Sequence, residues 1–268
     1  MAELNLADAT RAYWERDGLG ERIRDMLVKS GKDLTTLTVD DLAAFDQFHN
    51  GGKPATDRLA GLGKPAADAK VLDVGGGLGG PARTIVARFG CTVDVLDLTE
   101  SYIQAGEMLT GLLGLTDKVR FHVGDALAIP FPDESYDVVW TQNSGMNIED
   151  KARLYQEFHR MLRPGGKLVT QEPMAGPVQP ALFPAMWARD TSSHFLLTPD
   201  AMRAVMESAG FRTVIWDDIT AETAVIPSPP PMLQQLIMGD VLPLISATMN
   251  QNYAERRLVN IQAVLERT

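Results

Sequence analysis

The feature that most constrains the fold is an apolar run that leads directly into a cluster of glycines, VLDVGGGLGG over Val71–Gly80. The apolar residues predict a buried strand, and a helix is predicted from about Pro81. Glycine suits the turn between them because it accepts positive φ and lets a ligand approach bare backbone. The run therefore predicts a strand–loop–helix unit that binds a nucleotide or nucleoside.

Further apolar runs repeat along the chain and alternate with stretches that could form helices. The predicted strands are Val71–Val74, Thr92–Leu98, Val119–Val123, Tyr136–Trp140, Gly166–Gln171, Phe211–Ile219 and Leu258–Leu265. Alternation of this kind is typical of a parallel sheet with helices on both faces. We expect an α/β protein with a Rossmann-like, seven-stranded, mostly parallel sheet.

Other segments fall outside this alternation. Residues 1–60 read as an N-terminal helical cap in which Thr38 begins a helix, and residues 61–268 read as the core. The stretch Pro173–Leu197 has four prolines and no clear strand, so it is predicted to be a lid inserted after strand five. The last predicted features are a helix over Pro199–Gly210 with Thr198 as N-cap, a rigid break at Pro227–Pro231 and an apolar helix over Met232–Met249.

Composition limits the partners. A net charge of −10 disfavours nucleic acids, whose binding depends on clustered Lys and Arg. The lone cysteine, Cys91, begins a predicted strand and is expected to be a buried thiol outside any disulfide. The first residues do not show the basic segment followed by an apolar segment that marks a signal peptide, and no apolar stretch of 18 residues is evident. We therefore expect a soluble cytoplasmic protein without a membrane partner. Its oligomeric state is open between monomer and homodimer.

Two carboxylates follow the glycine loop in the chain. Asp97 ends the second predicted strand, 22 positions after Gly75, a distance that suits a carboxylate accepting both ribose hydroxyls. A dinucleotide cofactor would use the same residue, and Gly75, Gly77 and Gly80 also satisfy the GxGxxG pattern. Asp125 ends the third strand and could accept the amino group of an adenine ring. This second acid favours an adenosyl cofactor over a nicotinamide one.

The ordered series DVGGGLG, Asp97, Gly124-Asp125-Ala126, DVVW and MLRPGGKLV, over roughly residues 70–173, resembles the motifs of class I S-adenosylmethionine-dependent methyltransferases. The segment DQFHNGG over Asp46–Gly52 resembles the sarcosine/dimethylglycine N-methyltransferase-like group of small-molecule enzymes.

The resemblance implies that S-adenosyl-L-methionine is the cofactor and suggests which residues bind it. Gly75, Gly77 and Gly79 would approach its amino-acid end, Asp97 its ribose, and Asp125 with Ala126 its adenine, while Leu98 and Gln142 would complete the pocket. For Asp73 two roles stay open, a cap on the glycine loop or a contact with the cofactor ammonium.

The acceptor is expected beyond the carboxyl ends of strands four and five. Glu172, at the end of strand five, is a candidate general base because a carboxyl in an apolar pocket has a raised pKa. His49 and His194 are the other catalytic candidates, whereas His122 is expected to be structural and His159 to lie on the surface. Asn147 stands where the resembled enzymes often have histidine, which points to a different acceptor. No cluster with ligand spacing predicts a metal site.

The residues and the resemblance together predict methyl transfer to a small-molecule acceptor, by N- or C-methylation, with natural-product biosynthesis as one setting. O-methylation is the alternative within the same class. From other classes there remain a catalytically silent adenosyl-cofactor-binding protein and a nicotinamide-dependent oxidoreductase, for which no Tyr-x-x-x-Lys pair is evident. A lid that carries methionines and Trp187 would suit a flat or apolar acceptor.

Overall fold

The computed structural model describes residues 5–224 and 232–268, and over these ranges the chain forms one seven-stranded sheet. The strands are β1 (Lys70–Val74), β2 (Thr92–Asp97), β3 (Val119–Val123), β4 (Tyr136–Gln142), β5 (Leu162–Ala175), β6 (Phe211–Asp218) and β7 (Leu258–Arg267). Their order is β3-β2-β1-β4-β5-β7-β6, and β7 is antiparallel to both of its neighbours while the other pairs are parallel. The predicted fold class is confirmed.

Helices cover both faces of the sheet and its carboxyl edge. They are α1 (Leu6–Trp14), α2 (Leu19–Lys29), α3 (Val39–Asp46), α4 (Gly52–Gly63), α5 (Gly80–Phe89), α6 (Glu100–Leu112), α7 (Lys151–Met161), α8 (Pro199–Ser208), α9 (Thr220–Thr223), α10 (Met232–Met238) and α11 (Leu242–Ala254). The predicted caps are confirmed: Thr38 forms a capping box with Asp41, and the Thr198 hydroxyl accepts from the Ala201 amide.

Three apolar clusters make up the core. Two lie on opposite faces of the sheet, one with Ile85 and Trp140 and one with Phe158 and Met206. The third joins the N-terminal helices to Trp187 and to α11 above the sheet edge. The cap and the segment after β5 are therefore packed together and form a roof over the carboxyl ends of the strands.

The prediction that the insertion begins at Pro173 without a strand is wrong, because β5 continues to Ala175. Pro173 lies opposite Asn260 of β7. The backbone N–H of Asn260 donates to the Thr220 hydroxyl, and the backbone carbonyl of Asn260 accepts from the Ile219 amide. Pro173 and Asn260 therefore exchange no hydrogen bond across the strands, so the missing N–H of the proline leaves no group of Asn260 unpaired. The lid segment thus spans residues 176–198, and the proposed cap boundary at residue 60 lies within α4.

The apolar helix predicted over Met232–Met249 is divided by a 3-10 turn at Gly239–Val241. Pro243 explains the division, since it fits the first turn of α11 but would break the interior of a single long helix. By length and composition, the stretch Met232–Ala254 could cross a membrane, contrary to the expectation from sequence; Leu233, Leu242 and Met249 belong to the core, so this is weak evidence of a span. The predicted break at Pro227–Pro231 lies outside the described residues.

The remaining structural expectations concern Cys91 and two histidines. Cys91 is fully buried, as predicted. His122 contacts the Asp94 carboxylate at 3.0 Å, and the His159 ring packs edge-on against Phe211 at 5.6 Å. Both histidines are thus occupied in structural contacts.

Candidate active site

A cavity of about 1050 Å³ opens at the carboxyl ends of β1, β2 and β4. The chain turns from one side of the sheet to the other between β1 and β4, and open α/β sheets place their ligands at this point. One half of the cavity is walled by the glycine loop and the ends of β2 and β3. The other half is walled by α1, the β4–α7 loop and the lid.

The glycine loop is shaped by close packing as well as by backbone angles. Gly75 has φ of 69°, and a Cβ placed on it would lie 2.2 Å from the Ser144 Cβ, so no larger residue fits. Gly80, which could have completed a dinucleotide pattern, lies against the end of α3, where a Cβ would meet the Asp46 carbonyl oxygen at 2.2 Å. Glycine at position 80 is therefore explained by the close packing of α5 against α3, without a dinucleotide ligand.

Asp97 holds the loop in place. Its Oδ2 accepts from the Gly77 amide at 2.9 Å and its Oδ1 accepts from the Thr99 amide at 2.9 Å. Burial raises the pKa of the Asp97 carboxyl, while the amides of Thr99 and Gly77 lower it. Each carboxylate oxygen keeps a further lone pair, so Asp97 can fix the loop and still accept from ribose hydroxyls.

Asp73 is 1% exposed, lines the cavity, and has an Oδ2 atom without a hydrogen-bond partner among the described residues. Burial, together with the charge of Asp97, raises the pKa of Asp73 to about 8. An unpaired buried carboxylate is costly unless a cation or donor meets it. Asp73 therefore fits the ammonium group of a methionine-derived ligand.

Leu98, Asp125 and Ala126, the residues expected near the adenine together with the end of β2, all line the cavity. Asp125 Oδ1 accepts from the Leu127 amide at 2.8 Å, which fixes the carboxylate at the pocket wall. Gln142 also lines the cavity, although its Oε1 accepts from Trp140 and Thr56 on the side away from the loop. The residues expected to bind the cofactor lie together, and their donor and acceptor groups fit S-adenosylmethionine.

The second half of the cavity is mainly apolar, with Trp14, Phe48, Met146, Trp187 and Ile237 in its walls. The contribution of α1 was missed from the sequence. The amphipathic spacing of the cap predicts helices, but nothing in it shows that α1 folds back over the active site. A Tyr13 hydroxyl that donates to the Met186 carbonyl at 3.2 Å joins α1 to the lid.

Asn147 connects three parts of the roof. Its Nδ2 donates to the carbonyl oxygens of Trp187 at 3.0 Å and Ser193 at 2.8 Å, and its Oδ1 accepts from Trp14 Nε1 at 3.3 Å. The side chain is 6% exposed and lines the cavity. The residue in the position expected for histidine thus acts as a clasp between α1 and the lid.

The structure does not bring Glu172 to the cavity wall, contrary to the expected position of this candidate base. It is 2% exposed and lies behind the β4–α7 loop, where it accepts from the amides of Gly145 at 3.1 Å and Ser144 at 3.3 Å. Burial raises its pKa to about 7, against the lowering effect of these amides and of Lys151. Strand alternation explains the difference, since the Gln171 and Glu172 side chains point to opposite faces of the sheet.

Lys151 supports the same loop from its other side. Its Nζ donates to the Gly145 carbonyl at 2.8 Å and also to that of Ile148. Burial lowers the pKa of Lys151 to about 8. Glu172 and Lys151 therefore position the backbone that carries Met146 and Asn147.

The two candidate histidines differ in position. His49 lines the cavity, with Nε2 2.9 Å from Gln47 Oε1 and 3.0 Å from Thr56 Oγ1, and burial lowers its pKa to about 4. His194 is not among the lining residues; its Nδ1 accepts from Trp187 Nε1 at 3.2 Å. His194 therefore supports the tryptophan that forms the wall. Within the described ranges, no three His, Cys, Asp or Glu residues are grouped to hold a metal.

Comparison with known proteins also indicates a methyltransferase. A family model described as a methyltransferase domain matches residues 72–170. An uncharacterized protein of Haemophilus influenzae is 29% identical over 77% of this chain and 82% of its own length. The glycine/sarcosine/dimethylglycine N-methyltransferase of Actinopolyspora halophila is 34% identical over 44% of this chain, which spans only 21% of that enzyme.

Among solved structures, the geranyl diphosphate C-methyltransferase from Streptomyces coelicolor A3(2), in complex with Mg²⁺, geranyl diphosphate and S-adenosyl-L-homocysteine, superposes with a TM-score of 0.73. The match covers 100% of both chains at 19% identity, and it shows a shared fold. The matched family domain runs from β1 into β5 and so contains the strands that build the cofactor half of the cavity. Over residues 72–170 the chain is therefore similar to the methyltransferase domain family, and its fold is that of class I S-adenosylmethionine-dependent methyltransferases.

Proposed function

We propose that this enzyme transfers the methyl group of S-adenosylmethionine to a small-molecule acceptor, by N- or C-methylation, beneath the roof formed by α1 and the lid. The observation that carries the proposal is the single cavity, in which a polar half with Asp73 and Asp97 continues into an apolar half with Trp14 and Trp187. A methyl donor and an acceptor can therefore lie end to end, as an in-line displacement needs.

The sulfonium of the cofactor supplies an electrophilic methyl carbon. The residues of this chain bind and orient the two reactants. Asp73 would hold the ammonium, Asp97 the ribose hydroxyls, and Asp125 with Ala126 the adenine, which fixes the direction of the carbon–sulfur bond. The clasp at Asn147 keeps the roof closed and excludes water, and Glu172 with Lys151 fixes the loop between the two half-sites.

N- or C-methylation is favoured over O-methylation by the position and strength of the three candidate bases, because Glu172 and His194 do not line the cavity. His49 is the candidate base that lines the cavity, and with a pKa of about 4 it is a weak one. A phenol or alcohol must lose a proton to become a good nucleophile. A neutral amine or an electron-rich alkene already carries the electron pair that attacks.

The net charge of −10 supports an enzyme that does not act on nucleic acid. We also propose that it is cytoplasmic and works as a monomer or homodimer, with the helices before β1 as a cap and residues 176–198 as the lid.

Calorimetry tests the cofactor half of the proposal. We expect S-adenosylmethionine and S-adenosylhomocysteine to bind with micromolar-order affinity and NAD to give no measurable heat. This comparison distinguishes a methyltransferase from a nicotinamide-dependent oxidoreductase. Tighter binding of NAD than of either adenosyl ligand would refute the proposal.

A further inference from the structure

Among the residues that the structure describes, no Lys or Arg side chain lines the acceptor half of the cavity. The sequence has neither residue type in residues 1–4 or 225–231. An acceptor that carries a phosphate or carboxylate would therefore lose its hydration without gaining a cation.

Three basic side chains that lie behind the cavity wall donate to other partners. Arg16 donates to the carbonyls of Ile237 and Tyr13, and Lys151 donates to that of Gly145. Arg83, which is fully buried, donates to Asp46 and to the Leu78 carbonyl. None of these three lines the cavity, so none can neutralise an anionic acceptor without rearrangement of the wall.

Carboxylates, in contrast, are present at several points of the wall. Glu149, Asp150 and Glu222 are exposed residues of the lining. Asp46 also lines the cavity, but its charge is met by the buried Arg83, whose Nη2 donates to Asp46 Oδ2 at 2.9 Å. The described charged side chains of the cavity wall are therefore acidic, which favours a cationic ligand over an anionic one.

A metal-bridged anion is not supported by the donor set. In the Streptomyces coelicolor neighbour, geranyl diphosphate is accompanied by Mg²⁺. Over the ranges that the structure describes here, no three His, Cys, Asp or Glu residues are grouped to hold a metal ion.

We propose that the acceptor is an apolar amine, cationic in solution and free of phosphate and carboxylate groups. The aromatic and aliphatic walls formed by Trp14, Phe48, Trp187 and Ile237 suit its body, and the acidic groups attract its head. This inference rests on the proposed function and narrows its substrate class.

The reaction balances without a further reactant. The ammonium first gives one proton to solvent water. The lone pair of the resulting amine forms a bond to the methyl carbon while the carbon–sulfur bond breaks, and the electron pair of that bond remains on sulfur. The products are an N-methylammonium and S-adenosylhomocysteine.

The test measures binding of matched probes to the protein saturated with S-adenosylhomocysteine. Tryptamine is compared with indole-3-acetate, and geranylamine with geranyl diphosphate in the presence of Mg²⁺, all by calorimetry at pH 7. We expect each amine to bind at least about tenfold more tightly than its anionic partner. Equal or tighter binding of either anion would overturn the inference, as would failure of both amines to bind.

Charge-reversal variants of exposed residues link the preference to this cavity. Glu149→Lys and Glu222→Lys, made singly, are expected to narrow the amine preference by about threefold, whereas Glu107→Lys, an equal charge change on an exposed face of α6, leaves it unchanged. An identical effect of all three variants would also overturn the inference. If S-adenosylhomocysteine does not bind, the proposed function itself fails. If it binds and the protein then prefers the anionic probes, only the inference about the acceptor fails.

Discussion

At the scale of single residues, the unpaired carboxyl of Asp73 makes cofactor binding depend on pH. Its pKa of about 8 lies above the ordinary value of 3.8, so the group is mostly protonated in the free protein at pH 7. A bound ammonium favours the ionised form, and binding of S-adenosylhomocysteine at pH 7 should release close to one proton. Affinity should therefore increase as the pH rises from about 6 to about 8. Calorimetry in two buffers of different ionisation enthalpy measures the released proton.

The Asp73→Asn variant removes the titrating group. We expect it to release fewer protons and to bind about tenfold or more weakly, because a charge-assisted hydrogen bond is lost. Asp94→Asn is a matched control, since Asp94 lies on β2 outside the cavity and pairs with His122. Equal proton release by wild type and Asp73→Asn would remove Asp73 from the ammonium site.

Asp97 carries a second expectation at this scale. Asp97→Ala should weaken cofactor binding by about 1–3 kcal/mol, because the ribose hydroxyls lose their acceptor and the Gly77 amide loses its partner. Titration of the folded variant with S-adenosylhomocysteine measures the loss. Unchanged affinity would mean that the ribose is bound by other groups.

At the scale of elements, the β4–α7 loop is held by a carboxyl whose folded-state pKa is raised from 4.5 to about 7. A raised pKa means that stability from the protonated form is present below about pH 4.5 and is lost as the pH rises through about 7. The glutamine of the Glu172→Gln variant does not titrate. As the pH rises from about 4.5 to about 7, the free energy of unfolding of the variant should therefore increase relative to that of the wild type. Urea denaturation at several pH values measures the difference. A difference that is constant with pH, or that moves the other way, would contradict the assigned environment of Glu172.

The lid gives the second expectation at this scale, because Asn147 joins it to α1. Asn147→Ala should increase hydrogen exchange in residues 177–195, and S-adenosylhomocysteine should slow exchange there and in Asp46–Gly52 of the wild type. Gln156→Ala, an exposed change on α7, serves as the control. Exchange in the lid that responds to neither the ligand nor the Asn147 change would refute a closing role.

At the scale of the whole molecule, the sheet and the cofactor pocket could be predicted because their signals are local. Apolar runs define the strands, and the glycine loop, Asp97 and Asp125 each follow a strand directly. A helical cap and a lid could also be predicted, but the way they join could not, since it depends on contacts between distant segments, such as Tyr13 with Met186 and Trp14 with Asn147. Glu172 was expected at the end of β5, but the strand continues to Ala175 and the Glu172 side chain does not line the cavity, which only the register of the folded sheet decides.

The central claim is that one cavity brings the methyl donor to a small acceptor, and trapping of a labelled methyl group tests it most directly. Purified protein is incubated with S-adenosylmethionine that carries a deuterated methyl group and with a panel of apolar amines, and mass spectrometry follows both products. We expect at least one amine to gain the labelled methyl group, with one S-adenosylhomocysteine formed for each product, and Asp73→Asn to slow the reaction. A protein that binds the cofactor stoichiometrically but transfers no label to amines or to neutral apolar acceptors would contradict the account and identify a catalytically silent binding protein.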